Sequence, residues 1–504
     1  MSNGTASVHT TDPSPRLSTG IEGLDEILGG GFPANRLYLI DGDPGTGKTT
    51  IALQFLLEGI RLGESVLYVS LSETREELES VVRSHGWSAE GLDIFELGPT
   101  EEFVKPEEQY TIFHPSEVEL GDTTKAVLEA VERSKPTRVA FDSLSEMRLL
   151  AREPLRYRRQ ILGLKQYFAG RQCTVLLLDD RTSSQNDLHL HSIAHGVLSL
   201  ESVSIQYGND RRRLRLTKLR ASKFRGGFHD FNIETGGVKV YPRLIAADYR
   251  QPVSEEVLST GLPELDNLLG GGLKKGTSTL VMGPAGSGKS SITLNVAVSA
   301  AERGYRAAAY LFDEGLSSYH TRGAGLGLDL TKQIDAGRLL IRQVDPAELS
   351  PGEFSHVLCR AVEDDDVQVV VIDTLNGYLQ AMPEASFLIP QMHELLTYLN
   401  QKGVITLIVL AQFGLMGSQM ASPVDVSYLA DTVMLLRHFE AEGRIRKAIS
   451  IVKRRVGPHE TTIRELSMSS DGIKIGKPLT EFHGVLTGVP TYTGNKESLS
   501  QGRQ

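Results

Sequence analysis

Gly42-Asp-Pro-Gly-Thr-Gly-Lys-Thr49 and Gly283-Pro-Ala-Gly-Ser-Gly-Lys-Ser290 are two complete copies of the G-x-x-x-x-G-K-[ST] pattern in one 504-residue chain. Each follows a short apolar run, Leu37-Tyr-Leu-Ile40 or Thr279-Leu-Val-Met282, and precedes a helical stretch, which is the context the pattern requires. The glycines let backbone N–H groups turn inward around phosphate oxygens, at the positive end of the following helix. The expected ATP-binding residues are Gly42, Asp43, Pro44, Gly45, Thr46, Gly47, Lys48, Thr49 and Thr50 in the first copy. In the second they are Gly283, Pro284, Ala285, Gly286, Ser287, Gly288, Lys289, Ser290 and Ser291. Lys48 and Lys289 offer positive charge to the outer phosphates, and Thr49 and Ser290 offer a hydroxyl to Mg²⁺.

The loops belong to a longer repeat. Leu17-Ser-Thr-Gly-Ile-Glu-Gly-Leu-Asp-Glu-Ile-Leu-Gly-Gly-Gly31 recurs as Leu258-Ser-Thr-Gly-Leu-Pro-Glu-Leu-Asp-Asn-Leu-Leu-Gly-Gly-Gly272, at the same 241-residue offset as the loops. A period of that size is two whole domains, not a solenoid. The expected division is a flexible tail at 1–14, domains at 15–246 and 247–488, and a second flexible tail at 489–504. Within the first half, Val66–Val69, Arg138–Phe141 and Thr174–Leu178 read as further buried strands. Ala308–Phe312, Val369–Ile372 and Ile405–Leu410 repeat them in the second. Apolar runs alternating with helical stretches predict an α/β fold, with a mainly parallel sheet flanked by helices in each half.

Composition narrows the function classes. Hydrophobic residues are 40% and charged ones 23%, ample for more than one core. Length alone suggests about three domains; the repeat reduces that to two large ones. No run of about 18 apolar residues is present, so no spanning helix and no membrane association is expected. The Ser/Thr/Pro-rich opening residues read as neither a secretory signal nor an anchor. Cys173 and Cys359 cannot form a disulfide framework in a chain this long, and point to a reduced, cytoplasmic setting. A net charge of −10 makes nucleic acid an unlikely partner.

The second metal-side group is expected at the end of a buried strand. Asp142 and Asp373 fit, so Thr49, Asp142, Ser290 and Asp373 form the candidate metal set; the competing reading of either Asp is a helix N-cap. Ser143 and Thr374 follow these acids, so a water-activating base must come from elsewhere. Ser72-Glu73 and Asp313-Glu314, at equivalent strand ends, supply Glu73, Asp313 and Glu314 as catalytic candidates, against the alternative of solvated loop acids.

Together these residues resemble the KaiC family, duplicated RecA-type ATPases first known from a circadian clock. The S-T-G-x-x-x-L-D-x-x-L-G-G-G signature, the phosphate loop, the strand-end acid and a late K-x-R each occur twice, from about Leu17 to about Gly488. The resemblance implies two tandem RecA-like P-loop NTPase domains, a homohexamer of stacked rings, and ATP with Mg²⁺ between neighbouring subunits. It implies slow hydrolysis mainly in the first domain, and serine/threonine autokinase and autophosphatase activity in the second. Signalling proteins are implied as further partners.

The K-x-R residues Lys218, Arg220, Lys453 and Arg455 sit on segments that read as hairpin arms, where residues two apart share a face. In the family the pair reaches the γ-phosphate on the adjacent subunit; a solvated hairpin is the plainer reading. Arg211, Arg212 and Arg213 read as hairpin surface or interface. Two departures stand out. The first half has Ser72 where relatives often carry a leading Glu, and the second has the shorter Asp313. Where clock members carry an adjacent Ser-Thr pair, this chain has Ser427-Tyr428, leaving Ser427 as the expected phosphosite.

His189, His191 and His195 read as loop or interface rather than metal ligands, since no second ligand cluster accompanies them. Against a hydrolysing hexamer stand two alternatives. One is an ATP-dependent assembly scaffold with little turnover, and the other, weaker, is a RecA-like DNA-stimulated ATPase.

Overall fold

The computed structural model describes residues 15–97, 115–151, 153–181, 188–204, 208–249, 254–380, 387–414, 422, 426–487 and 490–493. The chain divides into two compact units, with the change between Arg243 and Leu244. Leu244 and Tyr249 already pack into the second unit, where the Tyr249 ring meets Tyr398 edge-on at 4.8 Å. Residues 1–14 and 250–253 lie outside the described residues.

Each unit holds a nine-stranded sheet of the same order. In the first it runs Asp93–Glu96, Val66–Ser70, Arg138–Asp142, Thr174–Asp180, Leu37–Gly42, Gly196–Val203, Arg211–Leu219, His229–Glu234, Gly237–Tyr241. In the second it runs Leu339–Gln343, Ala307–Leu311, Val369–Asp373, Ile405–Ala411, Ser278–Gly283, Thr432–Ala441, Arg444–Arg454, Arg464–Ser469, Gly472–Pro478. Six strands are parallel and the last three join antiparallel. The central strands are buried along their whole length, as Val369–Asp373 shows, because helices cover both faces. One such helix, Lys48–Arg61, turns Ile51, Ala52, Phe55 and Leu56 into the core. Truncating Phe55 to Ala there should cost about 3–5 kcal/mol.

The repeated signature acts as a brace at the entrance to each unit. Asp25 Oδ1 accepts hydrogen bonds from the Thr19 N–H (2.8 Å) and hydroxyl (2.7 Å), while its other oxygen takes the Ser18 hydroxyl at 2.6 Å. Asp266 repeats this with Thr260 and Ser259. Behind it the units differ. In the first, the fully buried Arg138 pairs with Glu64 at 2.7 Å and donates to the carbonyls of Ser18 and Phe55. In the second, Arg303 reaches the Ser259 carbonyl from the helix end, and the strand position of Arg138 holds Val369.

Beyond residue 488, Thr491–Tyr492 pairs with Phe482–His483, and the Tyr492 ring lies 5.3 Å from Phe482. This short pairing falls within the stretch expected as a tail from 489; residues 494–504 lie outside the described residues.

Candidate phosphate sites

Both phosphate loops lie at the carboxyl ends of parallel strands, the rim where open α/β sheets bind ligands. Gly47 and Gly288 open the following helices with φ of 99° and 106°, a conformation that side chains rarely adopt. A Cβ on Gly47 would sit 2.6 Å from Ile233 Cδ1, and on Gly288 2.1 Å from Met468 Cε. The positive φ is what calls for glycine; the Ile233 and Met468 side-chain ends would have to shift as well. Inside the loops the Thr46 hydroxyl donates to the Asp43 carbonyl (2.7 Å) and the Ser287 hydroxyl to Pro284 (2.8 Å), so the turns are held by equivalent bonds.

In the first unit the sheet register sets Ser70 beside Asp142, and Asp180 beside Gly42. The Asp142 Oδ2 accepts the Thr49 hydroxyl at 3.1 Å and the buried Tyr68 hydroxyl at 2.5 Å. Burial pushes the Asp142 carboxyl above its ordinary range, against the pull of those two bonds, and Asp180 adds to the rise. Glu73 is half-buried, and its Oε2 has no hydrogen-bond partner among the described residues. Burial first, then the charges of Asp142, Glu77 and Asp180, raises its pKa. Lys48, Thr49, Asp142 and Glu73 thus lie together in one group. Asp180, which the sequence reading missed, completes it by pairing with Lys48 at 2.7 Å. The rule that found Asp142, a carboxylate ending a buried strand, applies equally to Leu178-Asp179-Asp180.

The second unit rearranges the same positions. Burial pushes Asp373 up to about 6, opposed by Ser290 beside it, and its Oδ2 is a buried oxygen without a partner among the described residues. Asp313 accepts a hydrogen bond from the Thr374 hydroxyl. Glu314, the counterpart of Glu73, is clamped by both terminal nitrogens of Arg322 at 2.7 and 2.8 Å. Position 81, which corresponds to Arg322 at the 241-residue offset, is Val, so comparing the two copies would have flagged this clamp. Tyr68 corresponds to Ala309. Lys289 donates to the Pro284 carbonyl at 2.8 Å, and burial pushes it down to about 8.

The K-x-R residues join a different group in each unit. Lys218 donates to the carbonyls of His191 (2.5 Å) and Ala194 (2.7 Å), and Arg220 to Ser192. Lys453 donates to Ser427 (2.8 Å) and Ala430 (2.9 Å), and Arg455 to Tyr428. Strand register makes the two patterns equivalent, since Val197 faces Lys218 as Val433 faces Lys453. Ser427 therefore occupies the place of His191, and Asp431 that of His195.

Of the three histidines singled out in the sequence, His191 and His195 have structural partners. His195 Nδ1 accepts the Leu37 N–H at 3.2 Å, just as Asp431 accepts that of Ser278 at 2.9 Å. His191 Nε2 lies 2.8 Å from the buried Asp41. Burial alone would raise Asp41, but the bonds from His191 and Ser199 and the Arg181 charge hold it low. The His189 side chain lies outside the described residues. Arg211 departs from the expected hairpin surface, being only 6% exposed, whereas Arg213 pairs with Glu201 and lies over the Phe228 ring.

Comparison with known proteins agrees with this geometry. The family model "ATPase: KaiC" matches residues 17–245 and again 258–480. The chain is 26% identical over 497 residues to the circadian clock protein KaiC3 of a Synechocystis strain, covering 97% of each. It is 25% identical to the circadian clock oscillator proteins KaiC of Thermostichus vulcanus, over 97% of this chain and 94% of that one, and of Synechococcus elongatus, over 94% and 92%. With two loops, two strand-end acids and two family matches in register, the chain belongs to the KaiC family of ATPases, as a duplicated member.

Proposed function

We propose that this ATPase is Mg²⁺-dependent, works as a homohexamer, hydrolyses ATP chiefly in its first domain, and autophosphorylates Ser427 in its second. The observation that carries hydrolysis is Glu73, a half-buried carboxylate with an unpartnered oxygen beside Asp142. Such a group can accept a proton from water positioned at the outer phosphate. Lys48 and the loop N–H groups would hold the phosphates in line. Thr49 with Asp142, and Ser290 with Asp373, would hold magnesium; hydroxyl and carboxylate are the hard oxygen donors it prefers, and the orphaned Asp373 Oδ2 fits that role. The bound ion would neutralise charge on the transferred phosphoryl group.

In the second domain Asp313 is the remaining base candidate, since Arg322 neutralises Glu314. Its task would be to take the hydroxyl proton of Ser427. Lys218, Arg220, Lys453 and Arg455 would reach the neighbouring subunit's phosphates, which makes assembly depend on ATP. The reduced, cytoplasmic setting read from Cys173 and Cys359 belongs to the same proposal. No helix among the described residues is long and apolar enough to cross a membrane. The Arg322 clamp also supports a second reading, in which the second domain binds ATP mainly as assembly scaffold.

Phosphate release, native mass and phosphopeptide analysis after incubation with Mg²⁺ and ATP test these points. The expected result is turnover by an oligomer several times the 55.1 kDa chain mass, with label on Ser427 that Ser427→Ala removes. Assembly without turnover would leave the scaffold reading; a persistent monomer would defeat the inter-subunit role of the K-x-R residues.

A further inference from the structure

An ammonium group has three N–H donors and no more. Those of Lys48 go to the carbonyls of Gly42 and Asp43, each at 2.9 Å, and to Asp180 Oδ1 at 2.7 Å. A phosphate oxygen that binds Lys48 must take one of these donors, and Asp180 is the one competitor among them that is itself an anion. The second unit lacks the competitor. Ala411 pairs with Gly283 as Asp180 pairs with Gly42, so a methyl group stands where the first unit has a carboxylate. Lys289 donates to the carbonyl of Pro284, the counterpart of Asp43.

We propose that Asp180 sets the product affinity of the first site: it competes with the nucleotide's phosphates for Lys48, so ADP leaves this site more readily than the second. The inference rests on reading both loops as ATP-binding loops. ATP presents the γ-phosphate and the β-phosphate to the lysine, and their combined charge outweighs one carboxylate. Once the γ-phosphate has left, a single β-phosphate faces a carboxylate that is tethered beside the lysine at high effective concentration. Asp180 then regains the donor, and the hold on ADP weakens. The Asp180 charge also acts on the neighbouring carboxylates Glu73 and Asp142, so it resists the crowding of further negative charge at the site. Its side chain is 29% exposed against 8% for Lys48, which leaves the carboxylate room to swing away.

The test uses the full chain loaded with N-methylanthraniloyl-ADP and chased with excess unlabelled ADP. Two release phases are expected from the unchanged protein. Asp180→Ala should slow the faster phase about fivefold and tighten ADP by the same factor, the upper end of the scale for one partly exposed charge pair. The slower phase and the ATP affinity should change less. Ala411→Asp should speed the slower phase. Asp180→Asn keeps the size and removes the charge, so it must follow Asp180→Ala if charge is the cause, and it carries the test should the smaller residue unfold the chain. Unchanged release in both Asp180 variants, or weaker ADP binding, would overturn the inference; the latter would mean that Asp180 helps to hold the nucleotide. Failure of the unchanged chain to bind the fluorescent ADP at all would instead sink the loop reading on which the inference stands.

Discussion

The two phosphate sites share a backbone and differ in charge. In the first, Lys48 has an anionic partner in Asp180 and Glu73 keeps an oxygen unpartnered. In the second, Ala411 stands at the position of Asp180, Glu314 is locked by Arg322, and Asp313 is held by Thr374. Duplication preserved the parts that fix phosphate position: the loop turn, its glycines, and the strand-end acid. It relaxed the carboxylates around them. On the proposed reading the first site would favour turnover and product release, and the second would hold its nucleotide longer.

The largest test of that contrast is Glu73, the proposed base. Glu73→Gln should lower phosphate release by about 100-fold or more, while Glu314→Gln should change it less than about threefold. Equal losses would make the two sites alike and end the contrast. A smaller gain should come from freeing the clamped glutamate. In a chain already carrying Glu73→Gln, Arg322→Val copies Val81 of the first unit and should raise the residual release about tenfold. If release falls instead, Arg322 serves the phosphate rather than Glu314.

The mildest test is acid. His195 and His229 are held by burial at about 4, each accepting a backbone N–H on Nδ1. The unfolded chain takes up these protons near pH 6.5, whereas the folded unit resists until about pH 4. The stability they contribute is therefore full above pH 6.5 and is lost as pH falls toward 4. The second unit has Asp431 in the place of His195. Between pH 7 and 5 the melting of the first unit should drop by several degrees more than that of the second, as read by hydrogen exchange in peptides from each. A larger drop in the second unit would contradict the assignment.

What could be read from the sequence was whatever lies in one contiguous stretch. Both loops, the strands before them and the acids Asp142 and Asp373 follow from short patterns with a local physical cause. Asp180 fits the same strand-end rule, and Arg322 differs visibly from Val81. The partner each of them takes does not follow from a short pattern, nor does the role of Tyr68, because sheet register or a helix turn brings those partners in. The equivalence of Ser427 with His191 was hidden for a related reason. The repeat offset changes along the chain, and the pairing of the last strands is needed to align the copies. Arg211 shows the limit of charge as a guide, since a run of three arginines reads as surface and yet its first member is buried.

The side chains that close over Gly47 and Gly288 come from Ile233 and Met468, near the ends of their units. As the chain leaves the ribosome, each loop emerges early and its seat emerges late. The first loop lacks its final packing until the strand His229–Glu234 is out, and the second until Arg464–Ser469 follows. Each site is thus completed only when nearly all of its own unit has been synthesised, so a shortened translation product ending before either strand would carry the full loop motif without the surface that shapes it.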